Sequence, residues 1–329
     1  MTSQKPSGNS QGSTSKAKAE AVDLTGCHPG VVQVVRDLFE QCAPPPDLSV
    51  WEWADEYRYL SKEDSAEPGK WDTSRFEPQR GIMAAMNDPD VRDIVCKKGA
   101  QVGWTAICAN VIGYFAHYDP CPMIMMQPSL KAAEEYCKDR LAPTIEETPA
   151  MLDRFIEAKG RDGGSTIRHK RFPGGYIVVI GANSPADQRS RPARIVIEDE
   201  TDVYPADSGG HGDPQAKLRK RQTTFWNAKT LRGSTPVFKG GPISRDFERS
   251  DKRLFFAKCP HKSCGHHQTI RWEQVKFDRD EDKQLIRESV HYQCEKCGEL
   301  WDDADREAAG NSGEWRATAP FRGVAGFHL

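Results

Sequence analysis

The chain has 329 residues, 37% of them hydrophobic and 29% charged, enough to bury a core in one large or two modest domains. The formal net charge is −2, so any contact with nucleic acid has to rest on a local basic surface. No apolar run has the length of a membrane-spanning helix, and the N-terminus lacks the apolar centre of a secretory signal.

Residues 1–22 are rich in Ser, Gly, Gln and Lys and read as a disordered tail, either solubilising or a partner-binding arm. Residues 23–70 read as a helical segment. An amphipathic helix is expected over 28–42, with Val31, Val34, Val35 and Leu38 on one face, stopped by Pro44-Pro45-Pro46. A second helix is expected from Ser49 to Tyr59, and Pro68-Gly69 marks a turn. From residue 71 strands alternate with helices: strand Ile94–Cys96, loop Gly99–Gly103, helix Thr105–Phe115, strand Met123–Met126, helix Ser129–Leu141. A hairpin follows, Thr166–Arg171 with Tyr176–Ile180, then a strong strand Ile195–Ile197 and a short one before Gly233. The alternation predicts an α/β domain over 71–252, a mainly parallel sheet flanked by helices. From Arg253 it is expected to stop, leaving a small Cys-rich module over 253–329.

The first strand–loop–helix unit contains Lys98-Gly99-Ala100-Gln101-Val102-Gly103-Trp104-Thr105. A standard phosphate loop reads G-x-x-x-x-G-K-[ST]. Gly103 and Thr105 fall in place, but Trp104 fills the lysine slot and Lys98 stands at the loop's other end. The loop wraps the phosphates, so a cation at its first position also reaches them. Backbone N–H groups and the helix N-terminus complete an anion site. Thr105 is placed to ligate Mg2+. Alone this signal is weak, since glycine-bearing strand–turn–helix connections are common.

The strand Arg194–Ile197 runs into Glu198-Asp199-Glu200. An apolar strand ending in Asp-Glu is the second signature of such ATPases: Asp199 holds Mg2+ through water and Glu200 polarises the attacking water. The bland alternative is a strand entering an acidic loop. Both elements in order point to a P-loop NTPase fold of helicase-like type. Ser234-Thr235-Pro236, after the last strand, is a candidate for sensing the γ-phosphate and coupling hydrolysis to movement, though alone it is only a turn. Trp71 and Gln79 precede the first motif; a ring can stack on adenine and an amide can pair with its edge, against ordinary packing as the alternative. Arg189 and Arg191 precede the second motif and are candidate arginine fingers for a neighbouring subunit, or a solvated basic loop.

Ten cysteines are present. Scattered ones read as reduced thiols. Cys259 with Cys264, and Cys294 with Cys297, form two knuckles, each followed by glycine. Four thiolates make a closed, structural Zn2+ site of zinc-ribbon type. His261, His266 and His267 are alternative ligands.

These pieces in order resemble the large terminase subunit of lambda-like tailed phages: Trp51-Glu-Trp-Ala-Asp-Glu-Tyr-Arg, the Gln101-Val-Gly-Trp-Thr loop, Gly181-Ala-Asn-Ser, Asp199-Glu200, Gly212-Asp213-Pro214, Ser234-Thr235-Pro236 and Cys259-Pro-His. The resemblance covers residues 45–329, and the combination is more specific than any piece. That family carries its phosphate-loop lysine at the start of the loop, which favours Lys98 over Lys97. The resemblance implies an ATPase that drives double-stranded DNA into a procapsid, in the cytoplasm of an infected bacterial host. A small terminase subunit, the portal ring and copies of itself in a ring are the implied partners, with no membrane. The family continues into an RNase H-like nuclease domain, which would lie beyond Leu329, so the chain reads as a truncated piece and no nuclease activity is expected of these residues. The first knuckle departs from the family, with four residues between its cysteines where two are usual. Two other readings remain at this point: a helicase-like translocase with another role, and a zinc-ribbon DNA-binding protein on an inactive ATPase fold. Trp104 is the best support for the last.

Overall fold

In the computed structural model, residues 28, 30, 47–62, 68–155, 166–189 and 191–329 are described. The expected tail and the helix over 28–42 fall outside them, apart from residues 28 and 30. The fold below concerns the unit Leu48–Leu329.

The strands in chain order are β1 (Tyr59–Leu60), β2 (Gly69–Lys70), β3 (Asp93–Lys97), β4 (Pro122–Gln127), β5 (His169–Phe172), β6 (Gly175–Gly181), β7 (Ile195–Asp199), β8 (Lys229–Ser234), β9 (Arg253–Lys258), β10 (His267–Gln268), β11 (Val275–Lys276), β12 (His291–Gln293), β13 (Leu300–Trp301), β14 (Glu314–Arg316) and β15 (Val324–His328). The main sheet has the order β10-β9-β15-β3-β8-β7-β4-β6-β5, with β14 also on β9. From β9 through β6 every neighbouring pair is parallel; β10, β14 and β5 are antiparallel additions. Ile94-Val95-Cys96, Met123–Met126 and Ile195–Ile197 are continuously apolar and buried, as strands covered on both faces must be.

The helix Trp104–His117 runs from the end of β3 and is buried along most of its length. Its Ile107, Val111, Ile112 and Phe115 belong to the main core with Trp53, Ile82, Met83 and Phe327. The expected second helix is Val50–Tyr57, capped by Ser49 and Glu52 in a capping box. The helix expected over Ser129–Leu141 is α-helical over Leu130–Tyr136 and then widens into a π-turn, Cys137–Leu141.

The expected boundary at Arg253 does not hold. β9 joins the main sheet, and β15 lies between β9 and β3, pairing in parallel with β3 from Val324↔Asp93 to His328↔Lys97. The cysteine module is therefore inserted between two strands of the sheet. It has its own three-stranded sheet, β11-β12-β13, and a small core that includes Tyr292 and Trp301.

Beneath the C-terminal edge of the sheet, Arg232 is 2% exposed. Its guanidinium meets Asp93 on β3 at 3.0 Å, Glu198 on β7 at 3.1 Å and Asp246 at 3.0 Å. These carboxylates, Glu198 foremost, raise its pKa against the cost of burial. One cation thus joins three adjacent strands and the helix Pro242–Glu248.

Candidate active site

Strands β3, β8 and β7 are neighbours and parallel, so their C-terminal ends emerge at one edge of the sheet, the usual ligand-binding edge of such folds. After β3 the chain turns through Lys98–Gly103. Gly103 adopts φ 74° just before the helix, a left-handed conformation that glycine takes without strain. Gln101 (φ 59°) and, after β7, Glu200 (φ 54°) adopt it as non-glycine residues; such backbone is uncommon and concentrates at functional sites.

The side chains converge. Lys98 is 6% exposed, and its Nζ donates to Glu200 Oε1 at 2.6 Å. Ser234 Oγ donates to Glu200 Oε2 at 3.3 Å, and the Thr235 N–H approaches the same oxygen at 3.4 Å. The Asp202 N–H donates to Ser234 Oγ at 3.1 Å, and the Asp202 carboxylate accepts from the N–H groups of Val237 and Ile243. A bonded path therefore leads from Glu200 through Ser234 to the segment after β8. Burial raises the pKa of Asp199, and the charge of Glu200 adds to the rise; its hydrogen bond from Gln127, the Lys98 charge and the bond from Trp104 act the other way.

Lys98–Thr105, Asp199, Glu200 and Thr235 line a cleft of about 540 Å³, whose far wall includes Arg58, Arg140 and Thr144. The candidate residues thus fall into groups. Lys98, Gly99, Ala100, Gln101, Val102, Gly103, Trp104 and Thr105 share the cleft with both acids. Lys97 points elsewhere, its Nζ lying 5.8 Å from the centre of the Phe247 ring. Ser234 is buried behind Glu200, and Pro236 lines a separate depression with Val237 and Phe238.

Trp71 is not a base-stacking wall. It sits in the main core, 8% exposed, with Nε1 donating to Thr73. Gln79 does meet the loop, but its Nε2 donates to the Val102 carbonyl at 3.0 Å, where it supports the loop from behind. Arg189 lies in the short turn Asp187–Arg189. Arg191 bonds the His169 ring at 2.9 Å and stacks near Tyr176, beside the β5–β6 hairpin and outside the cleft.

Two participants, Gln127 and Arg58, escape the sequence reading, and so does the bond that the candidate Trp104 makes to Asp199. Trp104 Nε1 donates to Asp199 Oδ1 at 2.8 Å, and Gln127 Nε2 donates to Asp199 Oδ2 at 3.0 Å. Arg58 lines the cleft from the N-terminal side while bonded to Thr144 and Thr148. Only Gln127 carries a signal: it is the polar end of an otherwise apolar run.

In the inserted module the Sγ atoms of Cys259, Cys264, Cys294 and Cys297 all lie within 4.8 Å of one another. The pairs Cys259–Cys297 and Cys264–Cys294 are 3.9 Å apart, close to the roughly 3.8 Å edge of a tetrahedron built on a 2.3 Å Zn–S bond. His261, His266 and His267 are not in this group; His266 pairs with Glu295 at 2.9 Å. Among the described residues no helix is long and apolar enough to cross a membrane.

The family described as phage terminase large subunit gpA, ATPase domain, matches residues 65–315. The chain is similar to the terminase large subunit of Enterobacteria phage P21, 32% identical over 289 residues, covering 82% of this chain and 43% of that protein. It is also similar to the terminase large subunit of Escherichia phage lambda, 30% identical over 273 residues, covering 79% of this chain and 40% of that protein. The chain thus spans about two fifths of the length of these relatives. Among solved structures, the large terminase ATPase domain of Thermus phage P74-26 matches at 15% identity and TM-score 0.36, over 58% of this chain and 76% of that one. A likeness that distant adds nothing to the sequence matches.

Proposed function

Because this chain belongs to the family of phage terminase large subunits with the gpA ATPase domain, we propose that it binds and hydrolyses ATP as the motor part of a DNA-packaging machine. One observation carries the reading: Lys98, Glu200 and Ser234 are brought from three adjacent parallel strands into one bonded group beside a glycine-bearing loop, with Asp199 lining the same cleft.

In this reading Lys98 and the loop N–H groups hold the phosphates. Thr105 and Asp199 suit Mg2+, since both line the cleft and, among the described residues, each Asp199 oxygen accepts one hydrogen bond and has a second lone pair to offer. When bound, the ion would neutralise charge on the phosphate oxygens. Glu200 is the residue that polarises water. Its bond to Lys98 means that a phosphate and this carboxylate compete for one ammonium. Phosphate binding therefore frees Glu200 for water. The path from Glu200 through Ser234 and Asp202 is the route by which hydrolysis moves the segment after β8. Arg191 or Arg189 would act on a neighbouring subunit's site in a ring of copies. Double-stranded DNA, a small terminase subunit and the portal ring are the partners proposed, and the four cysteines a structural Zn2+ site. The inactive-fold reading leaned on Trp104 in the lysine slot. The presence of Lys98 in the cleft, and a bonding role for Trp104, remove that support.

The test is Mg2+-dependent ATP turnover. Glu200→Gln should lose about a hundredfold or more while retaining nucleotide. Lys98→Ala should lose more than Lys97→Ala, and the reverse order would sink the loop assignment. A wild-type chain that never turns over ATP, at high concentration and with duplex DNA, would return the inactive fold as the better reading.

A further inference from the structure

Trp104 occupies the position where a standard phosphate loop places its lysine. It is 4% exposed, and its ring lies against the end of β8, where a methyl group on Gly233 would come within 2.4 Å of Cζ2. The indole is therefore turned into the sheet with its Nε1 on Asp199 Oδ1 at 2.8 Å. Gln127, the last residue of β4, holds the other oxygen, Oδ2, at 3.0 Å.

Neither donor is charged. A lysine here would hold the carboxylate by cancelling its charge, whereas an indole and an amide hold it without doing so. One tether would let the carboxylate rotate about its Cβ–Cγ bond; two fix its plane. Each oxygen accepts one protein hydrogen bond and keeps a second lone pair.

We propose that Trp104, together with Gln127, is a positioning residue that fixes the Asp199 carboxylate so that its remaining lone pairs face the magnesium of a bound nucleotide. Lys98 then supplies the cation that the loop's usual lysine would have supplied. The substitution divides two tasks between two residues at opposite ends of one loop. This inference rests on the nucleotide reading of the cleft.

The experiment compares binding of the non-hydrolysable analogue AMP-PNP by calorimetry, in Mg2+ and in EDTA. Trp104→Phe keeps most of the ring against Gly233 and removes the donor. Its affinity should fall about tenfold in Mg2+, the usual scale for losing a group that orients a metal ligand, and stay unchanged in EDTA. Gln127→Met approaches from the other oxygen and should show the same split; it decides the matter if Trp104→Phe does not fold. Wild-type Mg2+ enhancement in both variants, or equal losses with and without Mg2+, overturns the proposal. AMP-PNP that fails to bind the wild-type chain overturns the nucleotide reading instead.

Discussion

The C-terminal edge of the sheet and the inserted cysteine module both hold polar groups in fixed positions, but by opposite means. At the sheet edge the backbone does the placing. β3, β8 and β7 are locked by parallel ladders and by Arg232 beneath them, and Lys98, Asp199 and Glu200 are carried to the cleft by strand ends. In the module the order is reversed. Its core is a handful of residues around Tyr292 and Trp301, while Ile270 and Trp272 are exposed and the segment Arg279–Arg287 is exposed throughout. There, with the proposed zinc bound, the four-cysteine cluster would hold the backbone. A lesion at the sheet edge should change chemistry on an intact scaffold; a lesion in the cysteine cluster should change the scaffold itself.

The largest effect is expected where that contrast is sharpest. Structural zinc sites contribute about 10–16 kcal/mol of apparent binding free energy in small domains, and that energy is folding energy. Cys294→Ser, or stripping with a chelator, should therefore release one zinc per chain and melt the module. Hydrogen exchange at β11, β12 and β13 should become fast, while β3, β4 and β7 stay protected. Full protection of the module without metal would mean that its small core suffices, and the contrast would fail.

Arg232 gives the next test, on the sheet side. Arg232→Ala strands three carboxylates, of which Glu198 is 0% exposed. Removing one partner of a buried ionic group costs about 3–5 kcal/mol, so the urea midpoint should drop across the whole unit. Lys98→Ala, at the cleft wall where the Glu200 side chain is 37% exposed, should lose far less stability. Equal losses would mean that the cleft ion pair, too, is part of the scaffold.

How far the sequence can be read follows the same division. The buried parallel strands announce themselves as apolar runs, and the glycine-bearing loop and the Asp199-Glu200 pair lie at the ends of two of them. β15 does not announce itself: Val324-Ala-Gly-Phe-His328 is short and contains glycine, and its pairing with β3 is a long-range contact that local pattern cannot report. This is why local pattern misplaces a boundary at Arg253. Glu198-Asp199-Glu200 reads as one acidic run, yet strand alternation sends Glu198 and Asp199 to opposite faces. The first meets Arg232 and the second Trp104. Trp71 misleads the other way, since an aromatic residue near a motif is more often core than ligand, and its Nε1 is satisfied by Thr73. Trp104 looks like a defect because the loop pattern assigns that slot to a cation, and no spacing rule predicts an indole bonded to the second motif's aspartate.

The smallest expected effect concerns Asp199 and pH. Its carboxyl is held above the usual range, with burial the leading cause. The folded chain therefore keeps this proton to higher pH than the unfolded chain, whose aspartates titrate near about 3.9. Between the two values the folded state binds more protons, so stability falls as pH rises through that window; above it the cost is complete and constant. Asp199→Asn has no proton to lose and escapes this cost. In paired urea titrations the variant should gain on the wild type as pH rises from the acid side, with the gain levelling off above the folded-state value. A gain independent of pH would show that the carboxyl titrates alike in both states. Saturating Mg2+ and AMP-PNP should then reverse the ranking, because ligand stabilises whichever chain binds it more tightly and the charge that Asn lacks is the one offered to the ion. A site that loses stability to keep a buried charge should recover it only when that charge is used. The cysteine cluster would differ here too, since a metal held there would stabilise the module whether or not nucleotide is bound.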